Sequence, residues 1–162
     1  MEKIDMIRTV EKKENIYSIL QKLSPYFYNQ SVNCPERIES LSKKFSQYAV
    51  FRCVYKKGIP CGFAAFYVND IERHVAFLSM IVVDRSFQKQ GIGKTLLADV
   101  VNICRKEKMK YLDLEVDDTN KQALHFYASA GFKFKEKKST TSSIYEFVLN
   151  NEGEKTNDSR IK

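Results

Sequence analysis

The sequence predicts a single α/β domain in which a mixed, mostly antiparallel central sheet of about seven strands is flanked by about four helices. Three observations carry this. The 162 residues suit one domain with a core of its own, and 43% of them are hydrophobic. Residues 48–83 read as strands separated only by short polar turns, the pattern of an antiparallel meander. The last of those strands runs into glycines, then a helical stretch, then another strand, which makes one β-α-β unit.

In chain order, residues 4–10 (I-D-M-I-R-T-V) form the first expected strand. Ile16, Ile19, Leu20 and Leu23 keep three-to-four spacing, so a helix is expected over 12–23, ended by Ser24-Pro25. Pro35 suits a first helical turn, where its missing N–H costs nothing, and Ile38, Leu41 and Phe45 carry a second helix to about residue 47. Strands follow over 49–55 and 62–68, with turns at 56–60 and at Asn69-Asp70. The next strand, 74–83, holds the apolar run Met80-Ile81-Val82-Val83, the mark of a central strand covered on both faces. A helix from Gly93 to about residue 108 puts Leu96, Leu97, Val100, Val101 and Cys104 on one face, and a strand over 111–116 completes the β-α-β unit. A last helix over 121–130 stops at Gly131, and 132–135 and 144–149 close the sheet. The domain is expected over 1–149, with a polar, disordered tail over 150–162.

Chemistry concentrates where the apolar strand meets the helix, at Val83-Asp84-Arg85-Ser86-Phe87-Gln88-Lys89-Gln90-Gly91-Ile92-Gly93-Lys94. A helix start offers unpaired N–H groups and a positive dipole end, and glycines at 91 and 93 remove side chains that would hold a phosphate away. Gly91-Ile92-Gly93-Lys94-Thr95 ends like the phosphate loop of nucleotide triphosphatases, but that loop's first glycine would fall at Gln88. The dinucleotide fingerprint fails too, because Leu96 stands where its third glycine belongs.

Gln88-Lys89-Gln90-Gly91-Ile92-Gly93 does match Q/R-x-x-G-x-G/A, the acetyl-CoA pyrophosphate motif of the GCN5-related N-acetyltransferase (GNAT) superfamily. Leu114-Glu115-Val116, Asn120, Ala123-Leu124-His125-Phe126-Tyr127 and Gly131-Phe132 then resemble the superfamily's closing pattern, in the right order. Close resemblance covers about residues 77–135, while the first 48 fit only in element order. The resemblance implies the GNAT fold and an N-acetyltransferase that moves acetyl from acetyl-CoA directly to an amine: a small molecule, an aminosugar or a protein amino terminus. It implies that the strand before the loop pairs with the pantetheine arm through backbone groups of Ile81 and Val83, their side chains lying in the core. A backbone N–H at Val82 or a neighbour would face the thioester carbonyl and stabilise its oxyanion. Gln88, Lys89, Gln90, Gly91, Ile92, Gly93 and Lys94 would hold the pyrophosphate, with Asn120 both capping a helix and contacting CoA. Tyr127 occupies the position from which many members protonate the departing thiolate.

The attacking amine must be neutral, so a base is required. Glu115 is the first candidate, since Leu114-Glu115-Val116…Asn120…Tyr127 resembles the amino-terminal acetylases of ribosomal proteins. Asp113 and Asp117 alternate with Leu112, Leu114 and Val116, giving the strand an acidic face with Glu115 that could hold a cationic acceptor. Glu72 and His74 are alternative bases beside a turn. The alternative to an enzyme is a catalytically degenerate module that binds or senses acyl-CoA.

The net charge of +7 suits an anionic ligand, and Arg85, Lys89 and Lys94 are placed to screen CoA phosphates. Charge alone does not make a nucleic-acid binder, and no aromatic-and-basic stripe or helix-turn-helix pattern accompanies it. Cys34, Cys53, Cys61 and Cys104 are scattered and only His74 and His125 could join them, so no metal is expected and the thiols read as reduced core residues. No stretch is long and apolar enough to span a bilayer, and the start lacks a secretory signal, so the expectation is a cytoplasmic monomer or homodimer that uses neither membrane nor nucleic acid.

Overall fold

The computed structural model describes residues 6–149. In chain order these form β1 (Met6–Thr9), α1 (Lys13–Leu23), α2 (Pro35–Tyr48), β2 (Val50–Lys56), β3 (Ile59–Asp70), β4 (Val75–Val83), α3 (Ile92–Lys106), β5 (Tyr111–Asp117), α4 (Lys121–Ala130), β6 (Lys133–Lys137) and β7 (Ser142–Val148). Short 3₁₀ turns occupy Ser24–Tyr26, Gln30–Val32 and Arg85–Phe87. Among the described residues the seven strands make one sheet in the order β1-β2-β3-β4-β5-β7-β6. The β4·β5 pair is parallel, while β1·β2, β2·β3, β5·β7 and β6·β7 are antiparallel. The expected mixed sheet with four helices is therefore the observed one. The expected tail, 150–162, lies outside the described residues. No helix among the described residues is long and apolar enough to cross a membrane.

The described residues group into two compact units, one of residues 6–67 together with Ser79–Val100, the other of Val68–Leu78 together with residues 101–149. In the first unit, the stripe Ile16, Ile19, Leu20 and Leu23 of α1 is buried, as its spacing requires, and shares one apolar cluster with Ile38 and Phe45 of α2. Phe51 and Phe63, stacked with centroids 4.9 Å apart, join that cluster from β2 and β3. In the second unit, Leu112, Leu114 and Val116 are buried along one face of β5. Gly131, at φ 106°, ends α4 in the left-handed conformation that glycine adopts without strain, and Phe132 follows it into the interior.

Several boundaries differ from the sequence reading, each for a local reason. The β2–β3 turn is only Lys57-Gly58, both with positive φ (52° and 75°), so the expected five-residue turn shrinks and strand pairing takes in Lys56 and Ile59. A lysine in the left-handed region gives no sequence signal. His74, at φ 57°, belongs to the turn before β4, and its carbonyl accepts the backbone N–H groups of Lys110 (2.7 Å) and Tyr111 (3.2 Å). The strand β6 begins after Phe132, and α3 begins one residue early, at Ile92. The largest correction concerns Met80-Ile81-Val82-Val83: only Val82 is buried, and Ile81 and Val83 are half-buried, not core. The register of β4 with β5 runs from Val75/Tyr111 to Leu78/Leu114.

Candidate active site

The glycine loop belongs to the first unit. At the end of β4 the Asp84 N–H bonds the Cys61 carbonyl (2.9 Å), and the Asp84 carboxylate accepts the Ser86 N–H (2.8 Å), turning the chain into Arg85–Phe87. The Gln88 side-chain amide donates to the Val83 carbonyl (3.3 Å) and folds the loop back on the strand that feeds it. Lys89 (φ 66°) and Gly91 (φ 82°) are both left-handed. A Cβ at Gly91 would meet nothing within 4 Å, so its backbone conformation, not crowding, calls for glycine there. Both the backbone N–H and the hydroxyl of Thr95 donate to the Gly91 carbonyl, each at 2.9 Å, so the N–H groups of Ile92, Gly93 and Lys94 fall in the first turn of α3, whose donors have no helical acceptor.

The seat of α3 is equally specific. A Cβ on Gly62 of β3 would lie 3.1 Å from the Val82 carbonyl and 3.3 Å from both Ile92 and Leu96, so glycine lets the helix approach the strand. Arg52 holds Asp99 with two hydrogen bonds (2.7 and 2.9 Å) and reaches Thr9 (3.0 Å), pinning α3 to β2 and β1. Arg85, Lys89 and Lys94 are exposed around the turn, and no acidic residue stands in the first turn of α3. The Arg85 guanidinium sits 5.7 Å from the centre of the Tyr26 ring, and partial burial, with the Asp84 carboxylate adding to it, raises the Tyr26 phenol pKa. Lys56, 3% exposed, donates to the Gln90 side-chain oxygen (2.9 Å) and stands 5.5 Å from the centre of the Phe87 ring.

Glu115, Asn120 and Tyr127 belong to the second unit. Glu115 is exposed on β5, and its Oε2 accepts the Ser142 hydroxyl of β7 at 2.5 Å. The Asn120 side chain accepts the Ala123 N–H (3.2 Å), which makes it the cap of α4. Tyr127 is 8% exposed between the rings of Phe126 (5.2 Å) and Phe132 (5.4 Å), and burial raises its phenol pKa. Glu115 and Tyr127 are not hydrogen-bonded to each other.

The acidic face of β5 is not open as expected. Asp113 is buried and accepts Lys135 (2.9 Å), which also binds Glu146 (3.0 Å). Burial, and then the Glu146 carboxylate, raise the Asp113 pKa to about 6, and one of its oxygens is buried with no partner. Asp117 accepts the Thr119 N–H (2.8 Å) and hydroxyl (2.6 Å), which hold its pKa down. Of the three carboxylates only Glu115 stands exposed. Among the alternative bases, Glu72 is exposed, and His74 is half-buried with Nδ1 unpartnered. Among the described residues no group of three or more His, Cys, Asp or Glu side chains is placed to hold a metal ion.

A model of the acetyltransferase (GNAT) family matches residues 13–132. The chain belongs to the GNAT family. It is 36% identical over 83 residues to an N-acetyltransferase of Methanocaldococcus jannaschii, covering 49% of this chain and 37% of that protein. It is also 36% identical over 69 residues to the ribosomal protein bS18-alanine N-acetyltransferase of Escherichia coli, covering 43% and 47%. The chain thus matches less than half the length of these curated relatives. The crystal structure of the Escherichia coli ribosomal-protein-S18-alanine N-acetyltransferase superposes with a TM-score of 0.72 at 20% identity, over 92% of this chain and 97% of that one. The PaiA N-acetyltransferase of Thermoplasma acidophilum, solved with coenzyme A, gives 0.70 at 19% identity, over 88% and 99%.

Two GNAT-loop neighbours escape a sequence reading. Lys56 lies 34 positions from Gln90 and reads as part of a surface turn, and Tyr26 follows a helix-ending proline. The pattern of β2 could have signalled Lys56, because extending the strand by one residue places it inside the ladder, opposite Ile59.

Proposed function

We propose that this GNAT protein transfers an acyl group, acetyl in the first instance, from acyl-CoA directly to a primary amine. The observation that carries the reading is the turn at the end of β4, where left-handed Lys89 and Gly91 deliver the chain into the first turn of α3 among exposed cations and with no carboxylate there. Such a turn offers backbone N–H groups and positive charge to a diphosphate. In this proposal Gln88, Lys89, Gln90, Gly91, Ile92, Gly93 and Lys94 hold the diphosphate of acetyl-CoA. Backbone groups of Ile81 and Val83 pair with the pantetheine. Asn120 contacts the cosubstrate while capping α4.

The amine nitrogen attacks the thioester carbonyl carbon, and a backbone N–H at Val82 or a neighbour stabilises the oxyanion. Glu115 takes the proton that the nitrogen sheds. Its Oε2 is oriented by Ser142, which leaves Oε1 for that proton. The carbon–sulfur bond breaks, the amide forms, and the Tyr127 hydroxyl protonates the thiolate. A tyrosine phenol is protonated at neutral pH, as an acid must be, and burial raises its pKa further. The bS18-alanine N-acetyltransferases among the relatives make a peptide amino terminus the first acceptor to try.

A second reading rests on Tyr127 itself, which is wedged between two phenylalanine rings as a packing residue would be. A domain of that kind would bind acyl-CoA without turning it over. An acceptor screen following free thiol release from acetyl-CoA separates the two, using peptides with amino-terminal alanine, aminosugars, polyamines and aminoglycosides. Faster release with one acceptor class is expected. Tight acetyl-CoA binding with no acceptor effect in any class would favour the binding module.

A further inference from the structure

Lys56 is a buried cation with no ion-pair partner among the described residues. Its residue is 3% exposed, its ammonium donates to the neutral Gln90 amide oxygen at 2.9 Å, and its other neighbour is the face of the Phe87 ring at 5.5 Å. No carboxylate forms an ion pair with it among the described residues. Lysine is almost never fully buried unless paired, and removing an ammonium from water is costly when only neutral partners replace the solvent. Arg52, four residues earlier on the same strand, shows the ordinary solution, a bidentate carboxylate. The ammonium is held instead against the two loop residues, Phe87 and Gln90, that bracket Gln88 and Lys89 and lead into left-handed Gly91.

We infer that Lys56 is a positioning residue for the diphosphate of the acyl donor: from beneath the loop it fixes Gln90 and supplies the buried positive charge that the bound anion completes. The inference rests on the proposed acyl-CoA reading and adds to it a residue from a different strand, outside the glycine motif. The geometry accounts for two features together. Tying Gln90 to β2 holds the turn between Lys89 and Gly91, so the N–H groups that follow keep one orientation without a ligand. A charge shielded from solvent by protein is also little screened by salt, so its attraction for an anion at the loop persists at ionic strengths that mask Arg85, Lys89 and Lys94.

The test compares Lys56→Met with the unchanged protein, using acetyl-CoA, inorganic pyrophosphate and acetyl-pantetheine, which carries no diphosphate. For Lys56→Met we expect the acetyl-CoA Kd to rise about tenfold or more and the pyrophosphate-induced rise in Tm to vanish, while the acetyl-pantetheine Kd changes less than about twofold. The ligand-free Tm is expected to hold or rise, because the variant removes an uncompensated buried charge. Lys56→Arg should recover part of the acetyl-CoA affinity. Should Lys56→Met not fold, Lys56→Gln provides the same readouts. An unchanged acetyl-CoA Kd, or equal losses for acetyl-CoA and acetyl-pantetheine, would overturn the inference while leaving the acyl-CoA reading intact. Pyrophosphate binding by the unchanged protein that depends on Lys56, without acetyl-CoA binding, would support the role of Lys56 and sink the acyl-CoA reading. Binding of neither ligand by the unchanged protein sinks both.

Discussion

The glycine turn of the first unit and the β5–α4 segment of the second hold their candidate groups in opposite ways. At the turn the useful groups are backbone N–H donors, and side chains serve the backbone: Gln88 ties back to Val83, Lys56 holds Gln90, and Thr95 closes on Gly91. On β5 and α4 the useful groups are side chains, and their surroundings decide what each can do. Glu115 stays exposed with a serine hydroxyl on one oxygen, while Asp113, two residues earlier on the same face, is buried against Lys135. Chemistry done by the backbone depends on local conformation, so neighbours in sequence specify it. Chemistry done by side chains depends on burial and on partners from distant strands.

The largest effect we expect breaks the first half of this comparison. Gly91→Glu places a carboxylate where the phosphate is proposed to lie, and it should abolish the thermal stabilisation given by acetyl-CoA. The left-handed φ of 82° adds strain of about 1–2 kcal/mol for any residue with a Cβ. Gly91→Ala separates the two causes, since it carries the strain without the charge and nothing within 4 Å obstructs its methyl group. Retention of part of the acetyl-CoA shift by Gly91→Ala, with total loss in Gly91→Glu, is the expected outcome in thermal melts. Equal losses would assign the effect to backbone geometry alone.

Tyr127→Phe bears on the other half. It keeps the ring contacts with Phe126 and Phe132 and deletes only the hydroxyl. Positioned acid catalysis contributes about 10²- to 10⁴-fold, and a thiolate leaves fairly well unaided, so a kcat loss near the lower figure is expected with little change in acetyl-CoA affinity. Steady-state kinetics with a good acceptor, alongside direct titration of acetyl-CoA, measures both. Loss of affinity together with rate would make Tyr127 a packing residue, and unchanged kcat with chemistry rate-limiting would leave water as the donor.

What could be read in the sequence follows the same division. The order of seven strands and four helices came from periodicity and turn residues, and the loop came from Gly91 and Gly93, because both signals are local. The Lys57-Gly58 turn is shorter than residues 56–60 suggest, because lysine rarely announces a left-handed conformation. The apolar run Met80-Ile81-Val82-Val83 reads as covered on both faces, yet only Val82 is buried, a tertiary fact with no local trace. Asp113 and Glu115 looked alike for the same reason. Only the register Asp113↔Glu146, with Lys133 and its neighbours on β6 beyond, reveals which carboxylate meets another strand's charges.

That difference between Asp113 and its neighbour gives the smallest expected effect, a dependence of stability on pH. The folded protein holds the Asp113 pKa near 6, against 3.8 for the ordinary side chain, so between those values the folded chain binds more proton than the unfolded one. Where the native state binds more proton, stability falls as pH rises. The contribution of Asp113 is therefore fully present below about 3.8 and lost by the time the pH has passed about 6. Asp113→Asn cannot lose a proton, and Lys135 keeps Glu146 as a partner, so the variant should gain stability relative to the unchanged protein as pH rises through that window. The relative gain should be at most about 3 kcal/mol, the linkage value for a carboxyl that titrates near 6 in the folded chain and at 3.8 in the unfolded one, with the attraction of Lys135 already contained in it. Urea unfolding at the two ends of the window measures it. A stability difference that stays constant with pH would mean that Lys135 compensates Asp113 fully, and the two carboxylates of β5 would then differ in exposure but not in charge.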